Sequence, residues 1–183
     1  MSLFNAVGYA MPRALKPKIR WGFVALTLFV CACGYRFPGG GGLPGGIQSV
    51  FIPLFTNRSN EIGIENIITD DLTNEFILQR KGALADENQA DGVLTGVIVS
   101  VLTRTISQTG EGASVEREVV VSVGLKLTDK NGQLTWVAQR LSAKEPYDVG
   151  DNSIETNRRR RDATEILSTR LAEKIYNRLT ENF

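Results

Sequence analysis

Apolar positions recur along this chain at two spacings. Ile64, Ile67, Ile68, Leu72 and Phe76 are separated by steps of three, one, four and four, which puts them on one stripe of a helix predicted over 62–81. Glu61 and Glu65 near its start and Arg80 and Lys81 near its end suit the helix dipole, and Gly82 supplies the stop. Ala163, Leu167, Leu171, Ile175 and Leu179 repeat every fourth residue and predict a last helix. Asn152, three residues before Glu155, resembles a capping box at its start, and the pattern ends at about Thr180.

Between and before these stripes the spacing is that of strands. Ile47 to Phe55 reads as a first strand with Val50, Ile52 and Leu54 on one face, and Pro53 leaves it an unpaired side. Thr56 to Asn60 is a turn, and Ala83 to Gln89 crosses back after the first helix. A second strand opens at Ala90-Asp91-Gly92 and runs to about Thr109, Gly110-Glu111-Gly112 turns the chain, and Val115 to Thr128 returns. Asn131-Gly132 reads as a two-residue hairpin turn into a fourth strand, Leu134 to about Lys144, and Pro146 to Gly150 ends the sheet. The order is βαβββα. It predicts an α+β two-layer sandwich, a four-stranded sheet with both helices on one face.

The turns fix a register. A two-residue loop pairs Lys130 with Gln133, Leu127 with Trp136 and Leu125 with Ala138, while a three-residue Gly-Glu-Gly loop sets Val101 opposite Val121 and Val99 opposite Val123. One face then collects Val97, Val99, Val101, Val119, Val121, Val123, Leu125, Leu127, Trp136 and Ala138, which is a core face. The other carries Ile98, Ser100, Leu102, Arg104, Ser122, Lys126, Val137, Gln139 and Leu141 and is mixed in character.

The N-terminal region follows neither spacing. Arg13, Lys16, Lys18 and Arg20 precede an uncharged apolar run, Trp21 to Val30, too short for a bilayer span of ~20 residues but suited to a signal-peptide core. Val30 and Ala32 stand at −3 and −1 from Cys33, the pattern of a bacterial lipoprotein signal cut before a lipidated cysteine; Cys31 would put bulky Val30 at −1 and fits badly. The expectation is a signal peptide over 1–32, an N-acyl diacylglycerol anchor on Cys33, a Gly-rich tether over 33–46 and a folded domain over 47–183. Gly34, where an Asp would favour inner-membrane retention, favours transfer to the outer membrane. A start at Met11 would give a more ordinary signal than one at Met1. The glycine run lacks the following Lys-Ser/Thr and the preceding strand of a phosphate-binding loop, so it reads as a tether.

Composition narrows the chemistry. Removing the signal takes four of the 21 Lys and Arg and none of the 20 Asp and Glu, leaving 17 against 20 and a mildly acidic mature chain unsuited to nucleic acid. There is no histidine, the usual general base and the commonest metal ligand, and with Cys31 removed and Cys33 capped no thiol remains for a disulfide or a zinc site. Asp70 and Asp71, the one adjacent acidic pair near apolar residues, point about 100° apart on a helix and read as solvated charges. The four arginines Arg158 to Arg161 spread around all sides of a helix as solvated charges, with Arg158–Asp162 and Arg161–Glu165 as expected i+4 pairs; contact with phosphate or lipid headgroups is the alternative. A non-enzymatic protein with no metal and no cofactor beyond the covalent lipid is expected.

Cys33-Gly34-Tyr35-Arg36-Phe37, Ile52-Pro53-Leu54-Phe55-Thr56-Asn57, the helix that follows, and Ala90-Asp91-Gly92-Val93-Leu94-Thr95-Gly96 together resemble the LptE family of outer-membrane lipoproteins, in order, over essentially the whole mature chain. The resemblance implies a role in lipopolysaccharide export. Such a protein sits inside an LptD-like β-barrel as a plug, assists barrel assembly and binds lipopolysaccharide on its way to the outer leaflet. It would be held on the periplasmic side of the outer membrane by its lipid. On this reading Ile98, Leu102, Val137 and Leu141, interleaved with Arg104, Lys126 and Gln139, form the surface that meets the barrel wall or the lipid, since a barrel lumen is polar and suits an amphipathic face. The alternative is a scattering of apolar residues on a half-exposed sheet. The rival function is a lipoprotein regulator of penicillin-binding proteins. It needs a long linker, whereas Gly34 to Gly46 reaches only about 45 Å fully extended.

Overall fold

The computed structural model describes residues 43–79, 83–108 and 115–181. The stretches expected as signal peptide and as tether up to Gly42, with Cys33, and those expected as the helix end at Arg80–Gly82 and the turn at Gly110-Glu111-Gly112 lie outside the described residues. The elements are two short strands, β1 (Val50–Phe51) and β2 (Thr56–Asn57), helix α1 (Ile64–Gln79), three long strands, β3 (Gly92–Gln108), β4 (Val115–Asp129) and β5 (Leu134–Asp148), and helix α2 (Ser153–Thr180). Both short strands run parallel to β3 along one edge, and β3, β4 and β5 form an antiparallel meander in the order β1-β3-β4-β5. Both helices lie against the same face, giving the expected two-layer α+β fold.

The helices follow their stripes. Asn152 Oδ1 accepts from Glu155 N at 2.9 Å, and Ala163, Leu167, Leu171, Ile175 and Leu179 are all buried. Each large aliphatic of that row contributes about 1.5–3 kcal/mol on burial. In α1, Ile64, Ile68, Leu72 and Phe76 are buried, and Phe76 meets Tyr176 of α2 edge-to-face at 5.1 Å. Ile67 is a correction: it stands at the solvent margin, and Thr69 takes the inward place. The arginine run pairs differently from expectation. Arg159 bonds Glu155, and Arg160 makes a bidentate pair with Glu61 at 2.9 Å, tying α2 to the entry of α1 and raising the Arg160 pKa. The partners lie across the helix interface and one turn back rather than one turn forward.

Proline splits the first strand. Pro53 has no N–H for the ladder, pairing stops at Phe51 and resumes at Thr56, and the alternation slips: Leu54 turns to solvent and Phe55 goes in. Phe55 N donates instead to Thr69 Oγ1 at 3.1 Å, and its ring lies on Gly96 of β3. Asn57 then closes the turn with all four of its side-chain bonds made. It donates to Glu61 O and Glu65 Oε2 and accepts from Ser59 N and Ser59 Oγ. Asp91 fastens the start of β3 by accepting from Gln48 N, Ser49 N and Ser49 Oγ. The Ser49 hydroxyl first, and then these amides, hold the Asp91 carboxyl below its ordinary range. Within the stretch expected as tether, Leu43 is buried in the core and Gly45 packs against Thr135.

The register is part expected, part corrected. Leu127–Trp136, Leu125–Ala138 and Val101–Val121 pair as the turns imply. The hairpin itself is a three-residue loop: Gly132 N donates to Asp129 O, Asp129 N donates to Gln133 O, and only Gly132 has positive φ. A two-residue turn of the mirror-image type would also need Asn131 at positive φ. An extra residue at Thr135 then restores the expected pairing. A bulge at Val99 shifts the first half of β3 by one residue, so Ile98 pairs with Val123 and is fully buried, while Val97 and Val99 turn outward. A second, at Gln139–Arg140, brings Leu141 opposite Val123 and against the core. Strand β5 also runs past Lys144 to Asp148, with Pro146 tolerated because an edge strand has an unpaired side.

Candidate functional site

With both helices on one side, the other face of the β3–β4–β5 meander carries no covering element among the described residues. Its side chains form transverse rows. Thr95, Lys126 and Val137 are cross-strand partners, as are Ser100, Ser122 and Ser142, then Leu102, Val120 and Lys144, then Arg104, Glu118 and Pro146. A band of three hydroxyls thus crosses the middle of the face, with apolar and cationic positions on either side.

Of the residues expected here, Leu102, Arg104, Lys126, Val137 and Gln139 lie on this face and are exposed. Ile98 and Leu141 do not. The two bulges rotate them into the core, and no periodicity marks where an extra residue enters a strand. Their places outside are taken by Val97, Val99 and Arg140. The sequence reading also missed that Gly124 sits mid-face opposite the Gln139–Arg140 bulge, where an added Cβ would lie 3.2 Å from Gln139 O. The missing side chain leaves a mostly apolar depression of about 360 Å³ edged by Thr95, Val97, Lys126, Val137 and Gln139.

Charge on the face is unevenly matched. Glu118 is held by Lys144 at 3.4 Å, while Arg104 and Lys126 form no ion pair among the described residues. Around the β5 edge, a groove of about 1010 Å³ runs between Trp136–Leu141 and the outer side of α2, where Arg170, Lys174 and Arg178 stand at successive turns with Glu173 and Glu181. The i+4 spacing of those three cations was present in the sequence and marks one face of α2, but does not show that this face borders β5. Chemically the arrangement offers binding: hydroxyl donors, apolar walls and uncompensated cations. No helix among the described residues is long and apolar enough to cross a membrane.

A family model described as LptE, lipopolysaccharide-assembly, matches residues 47–179. In fold, the chain is similar to the solution structure of uncharacterized lipoprotein B from Nitrosomonas europaea, with 16% identity over 80% of this chain and 90% of that one and a TM-score of 0.54. It is also similar to the crystal structure of rare lipoprotein B from Shewanella oneidensis, with 14% identity over 69% of this chain and 93% of that one and a TM-score of 0.50. At these identities the likeness is one of fold. No curated protein matches significantly.

Proposed function

The chain belongs to the LptE family of lipopolysaccharide assembly, and on that premise we propose that it is an outer-membrane lipoprotein that plugs and helps assemble an LptD-like β-barrel. It assists insertion of lipopolysaccharide into the outer leaflet and performs no catalysis. Cys33 carries the lipid, on the periplasmic side. With Leu43 buried, the tether shortens to Gly34–Gly42, a reach of about 30 Å fully extended, which keeps the domain near the membrane.

The observation that carries the reading is the uncovered sheet face. A barrel lumen is lined by polar groups, and this face answers with a hydroxyl band, two unpaired cations and scattered aliphatics rather than a continuous apolar patch. The test is a pull-down of the membrane-extracted, lipidated protein from its native host with mass spectrometry of its partners. Recovery of a large β-barrel at about one to one is expected; a penicillin-binding protein in its place would overturn the reading. Arg104→Glu combined with Lys126→Glu is expected to weaken barrel recovery or lipopolysaccharide binding, and loss of neither would remove this face from the function.

A further inference from the structure

The two lateral edges of the sheet are finished differently. The β5 edge is interrupted by bulges at Thr135 and Gln139–Arg140, carries Pro146, and is bridged from α2 where Lys174 Nζ donates to Ser142 O at 2.9 Å and Arg170 pairs with Glu145. Such features keep an edge from pairing with foreign strands. On the opposite side β1 and β2 cover β3 only as far as Ile98, and the last bond across that edge runs from Arg58 N to Ile98 O at 3.0 Å. From Ser100 to Thr105 strand β3 continues, paired with β4 on one side and with no backbone among the described residues on the other. The bulges of β3 fall just outside this stretch, at Val99 and Ile106. Within it there is no proline, and Leu102, Thr103, Arg104 and Thr105 are exposed in succession, so no described residue covers either face.

An unpaired strand edge of this kind is a template for an incoming strand. We propose that Ser100–Thr105 is a strand-addition site, occupied in the complex by an extended, amphipathic segment of the barrel partner; the occupant rests on the partner reading above. The open ladder is about 20 Å long, and it continues the line that β2 begins. Side chains set the chemistry of the segment. Glu118, the cross-strand neighbour of Arg104, is taken by Lys144 at 3.4 Å, so Arg104 calls for a carboxylate on the added strand, with an apolar residue beside Leu102. A second copy of this chain would bring another uncompensated arginine instead. A closed barrel wall has no free edges, so the segment is one that lies outside the closed wall.

The test is residue-resolved amide hydrogen exchange on the purified chain and on the chain co-extracted with its barrel. In the free chain, alternate amides of Ser100–Thr105 face the open edge and exchange fast; in the complex they are expected to slow by about tenfold or more, the worth of one hydrogen bond. Arg104→Glu is expected to remove most of that slowing, and Arg104→Lys to keep it. A barrel complex with no slowing at these amides overturns strand addition and leaves the barrel reading standing. Slowing that survives Arg104→Glu overturns the carboxylate assignment. Slowing in the free chain that grows with concentration gives the edge to a second copy and overturns the proposal. Failure of the wild-type chain to recover any barrel overturns the partner reading, and this occupant with it.

Discussion

Replacing Gly96 by Ala tests how the first strand is locked to the sheet. A Cβ at that position would lie 2.2 Å from Cε2 of Phe55 and 2.4 Å from two further ring atoms. Carbon atoms rest about 3.5–4.0 Å apart, so the ring would have to retreat by about 1.3 Å or more, from a place where it is only 2% exposed. Overpacking of this kind costs about 1–3 kcal/mol. Were the space open, the same change would stabilise the strand by about 0.5–1 kcal/mol, because glycine loses more backbone freedom on folding. The net expectation is a loss centred on about 1 kcal/mol and reaching about 2.5 kcal/mol at most, read by equilibrium urea unfolding with half-buried Trp136 as the fluorescent reporter. Phe55→Leu removes two of the three clashing ring atoms, Cε2 and Cζ. The double variant should therefore be more stable than the sum of the single changes predicts, with a coupling of about 1 kcal/mol. A Gly96→Ala protein at least as stable as the parent, or strict additivity with Phe55→Leu, would refute the packing argument.

The bulge at Val99 makes an opposite prediction for neighbours: Ile98→Ala should cost about 2–5 kcal/mol, and Val99→Ala under about 1 kcal/mol, by thermal or urea unfolding. A larger cost at Val99 than at Ile98 would mean that the first half of β3 is in the unshifted register. Asn57→Asp removes the two donors to Glu61 O and Glu65 and sets a second negative charge beside Glu65. It should destabilise by about 1–3 kcal/mol and by more at pH 7 than in acid, where protonation relieves the repulsion between the two carboxyls; the reverse pH trend would reject the network. Among the described residues four carboxyls are held below their ordinary range: Asp91 by the Ser49 hydroxyl, Asp129 by the Gln133 amide, Glu65 by its own amide and Asn57, and Glu155 by Arg159. Their contribution is complete above the unfolded values of about 3.9 for Asp and 4.3 for Glu and is lost as pH falls through the lower folded values. Urea midpoints should therefore fall on acidification below about pH 4, and Asp91→Asn should flatten that fall; a variant with an unchanged slope would show that Asp91 is not among its sources.

What the sequence determined by itself was whatever repeats with a fixed period or follows from one residue's covalent nature. The α2 stripe is on the page as five residues four apart, and α1 nearly so, because a helix has one pitch and an inserted residue, as a π-bulge, is rare. Pro53 announced a gap in pairing through its missing N–H, and the lengths of β3 and β4 followed from their apolar alternation. The motifs that carried the family resemblance prove to be structural fasteners: Gly96 under Phe55, Asp91 on Ser49, Asn57 across its turn. Tertiary structure alone decided the outward face. A strand accepts an extra residue at the cost of one local kink, and two such insertions, at Val99 and Gln139–Arg140, exchanged Ile98 and Leu141 for Val97, Val99 and Arg140. Nor could spacing show which edge stays open. That depends on where β2 stops against β3 and where α2 side chains reach β5, and both are distances between segments far apart in the chain.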